Sequence, residues 1–160
     1  VLDQPDCVRD KRVLDFATGS GLVAIAAHRS GAAHVLAADI DLFSADAVAM
    51  NAELNGFTIE HTAGNLAGQD HGWDTVLAGD VFYDRVMAEL LLPWFDAITA
   101  RGADVLIGDP GRAYLPKDRL EKLSEHQVNV TRALEDQDVR KTIVWRWRVP
   151  SAKDGQDGPA

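Results

Sequence analysis

The sequence predicts a doubly wound α/β domain, a mostly parallel seven-stranded sheet closed by a C-terminal antiparallel hairpin. Three observations carry this. Short apolar segments alternate with helix-patterned segments over the first hundred residues. A glycine turn, Gly19-Ser20-Gly21, follows the first apolar segment. Near the end, Ile143, Trp145 and Trp147 alternate with Thr142, Val144, Arg146 and Arg148 at the period of a strand.

Arg12 to Phe16 forms the first strand and stops at the glycines. Alanine-rich Leu22 to Ser30 favours a helix, with Gly31 as its stop. Ala33 to Ala38 is a second strand ending at Asp39-Ile40-Asp41. Ser44 to Leu54 carries helical spacing at Ala45, Val48, Ala49 and Ala52, closed by Asn55-Gly56. Phe57 to Thr62 and Trp73 to Gly79 are strands three and four, and Arg85 to Ala100 is a long helix interrupted by Pro93. Ala103 to Ile107 is strand five, broken by Gly108-Asp109-Pro110-Gly111. Lys117 to His126 has the pattern of a charged amphipathic helix. Gln127 to Leu134 and Lys141 to Val149 form the hairpin, joined by acidic Glu135 to Asp138. Residues 151–160 lack an apolar anchor and are expected to fray.

Length and composition restrict the function. The chain has 160 residues, enough for one domain. Sixteen Lys+Arg against 25 Asp+Glu give a net charge of -9, the wrong sign for holding nucleic acid or an anionic membrane surface by phosphate neutralisation. One cysteine, Cys7, makes no internal disulfide, and no Cys/His pairs have zinc spacing, so no metal site is expected. No apolar run is long enough to span a bilayer and no signal pattern opens the chain. A cytoplasmic protein is expected. The chain opens at Val1 instead of methionine, so a segment upstream is expected as well.

In a parallel α/β sheet, ligands bind beyond the carboxyl ends of the strands, where the candidate residues cluster. Gly19-x-Gly21-x-x-Ala24, with Asp39 twenty residues after Gly19, satisfies a dinucleotide fingerprint and makes a nicotinamide-dependent oxidoreductase one reading. Asp15 argues against it, because an anion at that strand end repels a pyrophosphate. Asp15-x-x-x-Gly19-x-Gly21 suits a cofactor with a cationic amino-acid part, such as S-adenosylmethionine, with Asp39 accepting from the ribose hydroxyls and Asp41 near enough to share them.

Val13-Leu14-Asp15-Phe16-Ala17-Thr18-Gly19-Ser20-Gly21, Leu36-Ala37-Ala38-Asp39-Ile40-Asp41, Gly79-Asp80-Val81-Phe82-Tyr83-Asp84 and Leu106-Ile107-Gly108-Asp109-Pro110-Gly111-Arg112 together resemble the Rossmann-like, seven-strand S-adenosylmethionine-dependent methyltransferases. The likeness runs from about Val13 to Trp147. It is strongest to the protein-lysine branch that includes the electron transfer flavoprotein β-subunit lysine methyltransferases, whose bacterial members are often labelled nicotinamide N-methylase-like.

That resemblance implies a methyltransferase domain over residues 1-150 and a protein substrate, with the flavoprotein β-subunit the implied partner. It implies that Asp15 and Gly19 border the methionine part of the cofactor, that Gly21 starts the helix beneath it, that Ile40 lies against adenine and that Asn65 faces the adenine amino group. Asp80 and Tyr83 fall on the branch's acid-x-x-aromatic motif at the acceptor lysine, with Asp80 also beside the cofactor and Phe82 a second aromatic wall. Ala17 stands where the family usually has its first glycine, a departure of one methyl group. The family also carries a tryptophan-containing lead before the first strand, which Val1 to Lys11 do not supply.

Methyl transfer needs a neutral amine aligned in line with the methyl group. Lysine arrives protonated, with a reference pKa of about 10.4. Asp80 is assigned to capture and orientation, and its proton acceptor is either water or Asp80 itself. Asp109 and Arg112 either face the substrate or only form a turn and an ion pair. A small-amine methyltransferase and a non-catalytic interaction domain are the remaining readings.

Overall fold

The computed structural model describes residues 1–129 and 139–149. A 3-10 turn at Pro5–Cys7 leads into β1 (Arg12–Phe16), α1 (Leu22–Arg29), β2 (His34–Asp39), α2 (Phe43–Leu54), β3 (Glu60–Ala63), β4 (Thr75–Gly79), α3 (Arg85–Ala100) and β5 (Asp104–Asp109). A 3-10 turn at Lys117–Arg119 then precedes β6 (Leu120–Asn129) and β7 (Val139–Trp147). The seven strands form one sheet in the order β3-β2-β1-β4-β5-β7-β6. Strands β1 to β5 pair in parallel, and β7 runs antiparallel to β5 and β6. The expected architecture is observed.

The central strands are apolar on both faces because both faces are covered. Val13 and Leu14 of β1 are fully buried and point to opposite sides of the sheet. On one side Val13, Val35, Ala37, Leu77 and Leu106 meet Ala24 and Ala27 of α1 and Val48 of α2. On the other, Leu14, Val76, Val105 and Ile107 meet Leu91, Trp94, Phe95 and Ile98 of α3. Connections therefore leave β1 and β4, which are neighbours, toward opposite faces. A crevice opens between their carboxyl ends.

Pro93 does not interrupt α3, which runs unbroken from Arg85 to Ala100. An interior proline costs a helix about 3 kcal/mol. Burial of Leu91, Trp94, Phe95 and Ile98 on both sides of Pro93 offsets it.

The expected helix over Lys117 to His126 is a strand instead, preceded by a single 3-10 turn. Leu120 and Leu123 have helical spacing, but Leu120 packs with the α3-side core and Leu123 with the α1-side core. Only an extended chain puts residues three apart on opposite faces. A register shift between Lys122 and Ser124 breaks the alternation that would have marked the strand. The hairpin thus begins at Leu120, not Gln127. Its acidic connection and the tail lie outside the described residues. Charged side chains line the outer strand β6, with Glu125 accepting from Lys122 at 2.5 Å and from Lys141 at 2.8 Å, which discourages pairing with a further strand.

Trp147 is buried as expected of a packed strand face, stacking on Phe82 at 6.3 Å and donating from Nε1 to Asp96 of α3 at 2.8 Å. Among the described residues no helix is long and apolar enough to cross a membrane.

Candidate active site

The loop after β1 is held by its own backbone. Thr18 N donates to Ala38 O at 3.0 Å and Gly21 N to Thr18 O at 3.0 Å, and α1 starts on the carbonyl of Gly21. Gly21 takes φ +80, and a Cβ there would stand 3.0 Å from Val48 Cγ2 and 3.3 Å from Val48 Cα. Only glycine fits that conformation and that approach of α2. Gly21→Ala is therefore expected to lower unfolding stability by about 1–3 kcal/mol in urea titration; an unchanged midpoint would contradict the close packing.

Ala17 has φ +56, so the methyl group it carries in place of the family's glycine sits in the left-handed region. This costs about 1–2 kcal/mol. The effect is backbone strain more than crowding. Asp80, just beyond neighbouring β4, has φ +56 too. Two left-handed non-glycine residues thus flank one crevice, the kind of strain that collects at functional sites.

A cleft of about 270 Å³ lies there, lined by Phe16, Ala17, Ala38, Asp39, Ile40, Gly64, Asn65, Gly79, Asp80, Tyr83 and Met87. Six of the sequence-predicted residues, Ala17, Asp39, Ile40, Asn65, Asp80 and Tyr83, line this one space. Phe16, Gly64, Gly79 and Met87 were missed. Their signal was position alone, since Phe16 and Gly79 end β1 and β4, and Met87 follows Tyr83 by four residues across the start of α3. Asp84 caps that helix by accepting from Met87 N at 2.8 Å.

Asp39 anchors one end of the cleft. Its Oδ2 accepts from Gly19 N at 2.8 Å and its Oδ1 from Asp41 N at 3.0 Å. Each oxygen keeps a further lone pair for an incoming hydroxyl. Ile40 beside it is 67% exposed, an apolar surface largely open at the cleft. Asn65 Oδ1 accepts from Ala67 N, which fixes the amide at the cleft wall. A Cβ built on Gly19 or Gly79 meets nothing within 4 Å, so the space over both turns is open.

Asp80 and Tyr83 mark the other end. Asp80 N donates to Gly108 O at 2.8 Å, tying the start of the loop after β4 to strand β5. Arg112 Nε and Nη2 donate to Asp80 Oδ1 and Oδ2, each at 2.6 Å, a bidentate pair. Tyr83 is 56% exposed.

Six expected site residues are absent from that lining: Gly19 and Gly21 shape the loop after β1, Arg112 pairs with Asp80, and Phe82, Asp109 and Asp15 are buried. Phe82 is fully buried, edge-on to Phe95 and stacked on Trp147, because burial among aromatic rings outweighs presenting a wall to the cleft. Asp109 is buried, and its Oδ1 accepts from Gly111 N at 2.6 Å and Arg112 N at 2.8 Å. It shapes the turn that carries Arg112 and does not line the cleft.

Asp15 lies beneath the glycine loop, 2% exposed, its Oδ2 accepting from Thr18 Oγ1 at 2.5 Å and Ala24 N at 2.9 Å. It supports the loop and is absent from the cleft lining. Burial pushes its carboxyl up from 3.8 to about 6. The bonds from Thr18 and Ala24 oppose that rise and the nearby Asp39 charge adds to it.

The native state thus keeps a proton that the unfolded chain releases, so this group makes the fold less stable as pH rises from about 4 to about 6 and adds no further change above. The fall amounts to roughly 2–3 kcal/mol. Asp15→Asn is expected to remove it, read as urea midpoints at several pH values for variant against wild type. Parallel midpoint curves would contradict the raised value.

The lining fits the cofactor that the sequence resemblance implies: acceptor lone pairs on Asp39 for paired hydroxyls, an exposed apolar face and an amide at Ile40 and Asn65 for a purine, and a carboxylate with a phenol at the far end.

A family model described as ribosomal protein L11 methyltransferase (PrmA) matches residues 2–104. The Xenopus laevis protein named electron transfer flavoprotein beta subunit lysine methyltransferase is 39% identical over 152 residues, which cover 91% of this chain and 62% of that protein. Its Homo sapiens counterpart is 36% identical over 154 residues, 91% of this chain and 58% of that one. The chain thus spans about three fifths of the length of these relatives. The crystal structure of a ribosomal protein L11 methylase from Lactobacillus delbrueckii subsp. bulgaricus is similar at a TM-score of 0.57 and 25% identity, covering 87% of this chain and 70% of that one. With that family model matching more than half of this chain, the chain belongs to the ribosomal protein L11 methyltransferase (PrmA) family.

Proposed function

We propose that the chain is the catalytic domain of a protein-lysine N-methyltransferase that uses S-adenosylmethionine, with the electron transfer flavoprotein β-subunit as its acceptor. The observation that carries this is the meeting of Asp80 and Tyr83 with Asp39 and Ile40 around a single cleft. The names of the relatives support the acceptor. The single cysteine suits a reducing compartment, and we assign the chain to the cytoplasm.

When bound, S-adenosylmethionine supplies a methyl group on a sulfonium, activated for in-line displacement. The protein's part is alignment. Asp39 accepts from the ribose hydroxyls while its existing bonds to Gly19 N and Asp41 N hold the carboxylate in place. Ile40 covers an apolar ring face and Asn65 meets the ring edge.

At the far end Asp80 accepts from the lysine nitrogen and Tyr83 walls the aliphatic stem. Cation–π attraction to the phenol ring contributes about 0.5–2 kcal/mol to capture. The amine must shed a proton before the N–C bond forms, and that proton leaves to water or to Asp80. Tyr83 and Val86, exposed together at the start of α3, give a protein acceptor an apolar rim to rest on.

The test is incubation of the full chain with methyl-labelled S-adenosylmethionine and purified flavoprotein β-subunit or ribosomal protein L11, followed by mass spectrometry of modified sites. Methyl-lysine on the β-subunit supports the reading. Label on L11 alone replaces the acceptor, and label on neither overturns the assignment.

A further inference from the structure

We propose that the outer face of α2 is a docking surface for a basic amphipathic helix presented by another protein, a role separate from the chemistry of the cleft. α2 is apolar on two opposite faces. Val48 and Ala52 on the inner face are buried, Val48 within the α1-side core. On the outer face Phe43, Met50 and Leu54 are 81%, 65% and 83% exposed, and none of them lines the cleft. With Ala47 among them, these positions follow one another at intervals of four, three and four residues, the spacing of a seam that receives a second helix. The stripe runs the length of α2, about 16 Å. A surface helix with nothing to bind turns polar side chains outward. Large apolar side chains exposed in one row mark a contact surface.

The charge around the stripe selects its occupant. Residues 30–84 carry nine Asp and Glu and no Lys or Arg, so this stretch accounts for the whole net charge of -9 and the rest of the chain is balanced. It contains β2, α2 and the edge strand β3. That edge therefore carries Asp39, Asp41, Asp46, Glu53 and Glu60 with no Lys or Arg of its own. Asp46 and Glu53 stand three residues after Phe43 and Met50, which puts both on the same flank of the stripe. Both are exposed, and among the described residues no ion pair engages either. A shallow depression is lined by Met50, Glu53 and Leu54 together, an apolar seat with an acid at its side.

The surface thus asks for apolar side chains bordered by Lys or Arg. A second copy is a poor match, because an antiparallel pair of α2 helices sets Asp46 and Glu53 against their own equivalents, and like charges repel. The chain's own residues 151–160 hold no large apolar side chain and more acid than base. A partner helix with Leu, Ile or Met at three- and four-residue spacing and a basic flank answers both features. The acidic field of this edge also steers such a partner before contact.

The experiment titrates the full chain by calorimetry with three synthetic peptides of about 18 residues, long enough to cover the stripe as helices. One is built of Leu and Lys with the leucines at three- and four-residue spacing, one has Glu in place of Lys, and one has Ser in place of Leu. The Leu/Lys peptide is expected to bind one to one, at least about tenfold more tightly than either control. The double variant Met50→Gln, Leu54→Gln should weaken it by at least about tenfold. Asp46→Asn with Glu53→Gln should weaken it several-fold and flatten its salt dependence. All four positions are exposed, so both double variants are expected to keep the wild-type urea midpoint within about 0.5 kcal/mol per substitution. Undiminished binding to the Met50→Gln, Leu54→Gln chain overturns the proposal, as does equal binding of a control peptide or no binding of the Leu/Lys peptide. A wild-type dimer in sedimentation that the same two substitutions dissolve also overturns it, because the occupant would then be a second copy.

Discussion

Replacing Asp80 with Asn is expected to reduce kcat/KM for the acceptor by about 100-fold or more while leaving S-adenosylhomocysteine affinity within about twofold. The substitution keeps the size of the side chain but removes the charge that Arg112 grips and halves the acceptor capacity facing the cleft. The cofactor end loses nothing, since Asp39 and its partners lie on β2 and the β1 loop. Asp80 also carries φ +56, which asparagine tolerates, so the fold is expected to persist. Calorimetry with S-adenosylhomocysteine and a methylation assay read the two effects separately. Equal loss in both would place Asp80 in cofactor binding, not in acceptor capture.

The opposite pattern is expected at Asp39. Two hydroxyls donating to a carboxylate contribute about 1.5–3 kcal/mol each, so Asp39→Ala should weaken S-adenosylhomocysteine affinity by at least about 100-fold. Part of that loss is indirect. Asp39 Oδ2 holds Gly19 N and Oδ1 holds Asp41 N, so the variant loosens both loops that frame the adenosine end. Asp39→Asn separates the contributions, because its amide oxygen still accepts from one backbone amide while the charge is gone. Unchanged affinity in the Ala variant would remove Asp39 from the ribose role.

Strands β1, β2, β4 and β5 were legible because each is a short, largely buried run that ends at or just before a glycine or aspartate turn, as with the loop after Phe16, Asp39, Gly79 and Asp109. The last strands were harder. Leu120 and Leu123 satisfy a helical period, and only the packing of the sheet shows that they serve opposite faces.

At the site, residues whose roles follow from backbone position were readable. Asp39 and Asp80 end parallel strands, and strand ends must face the cleft. Side-chain direction was not readable. Phe82 and Tyr83 are adjacent aromatics in one motif, yet one is wholly buried and the other open, a division set by Phe95 and Trp147, which come from distant parts of the chain. Asp15 carried much of the case for a cationic ligand group. In the structure it braces the loop below the cleft, so the discrimination falls to Asp39, Ile40 and Asp80.

The most direct test is a crystal structure of the chain with S-adenosylhomocysteine. The account expects the ribose on Asp39, the purine between Ile40 and Asn65, and the sulfur turned toward Asp80 and Tyr83. A ligand bound with its sulfur away from Asp80, or a cleft that stays closed at saturating ligand, would contradict it.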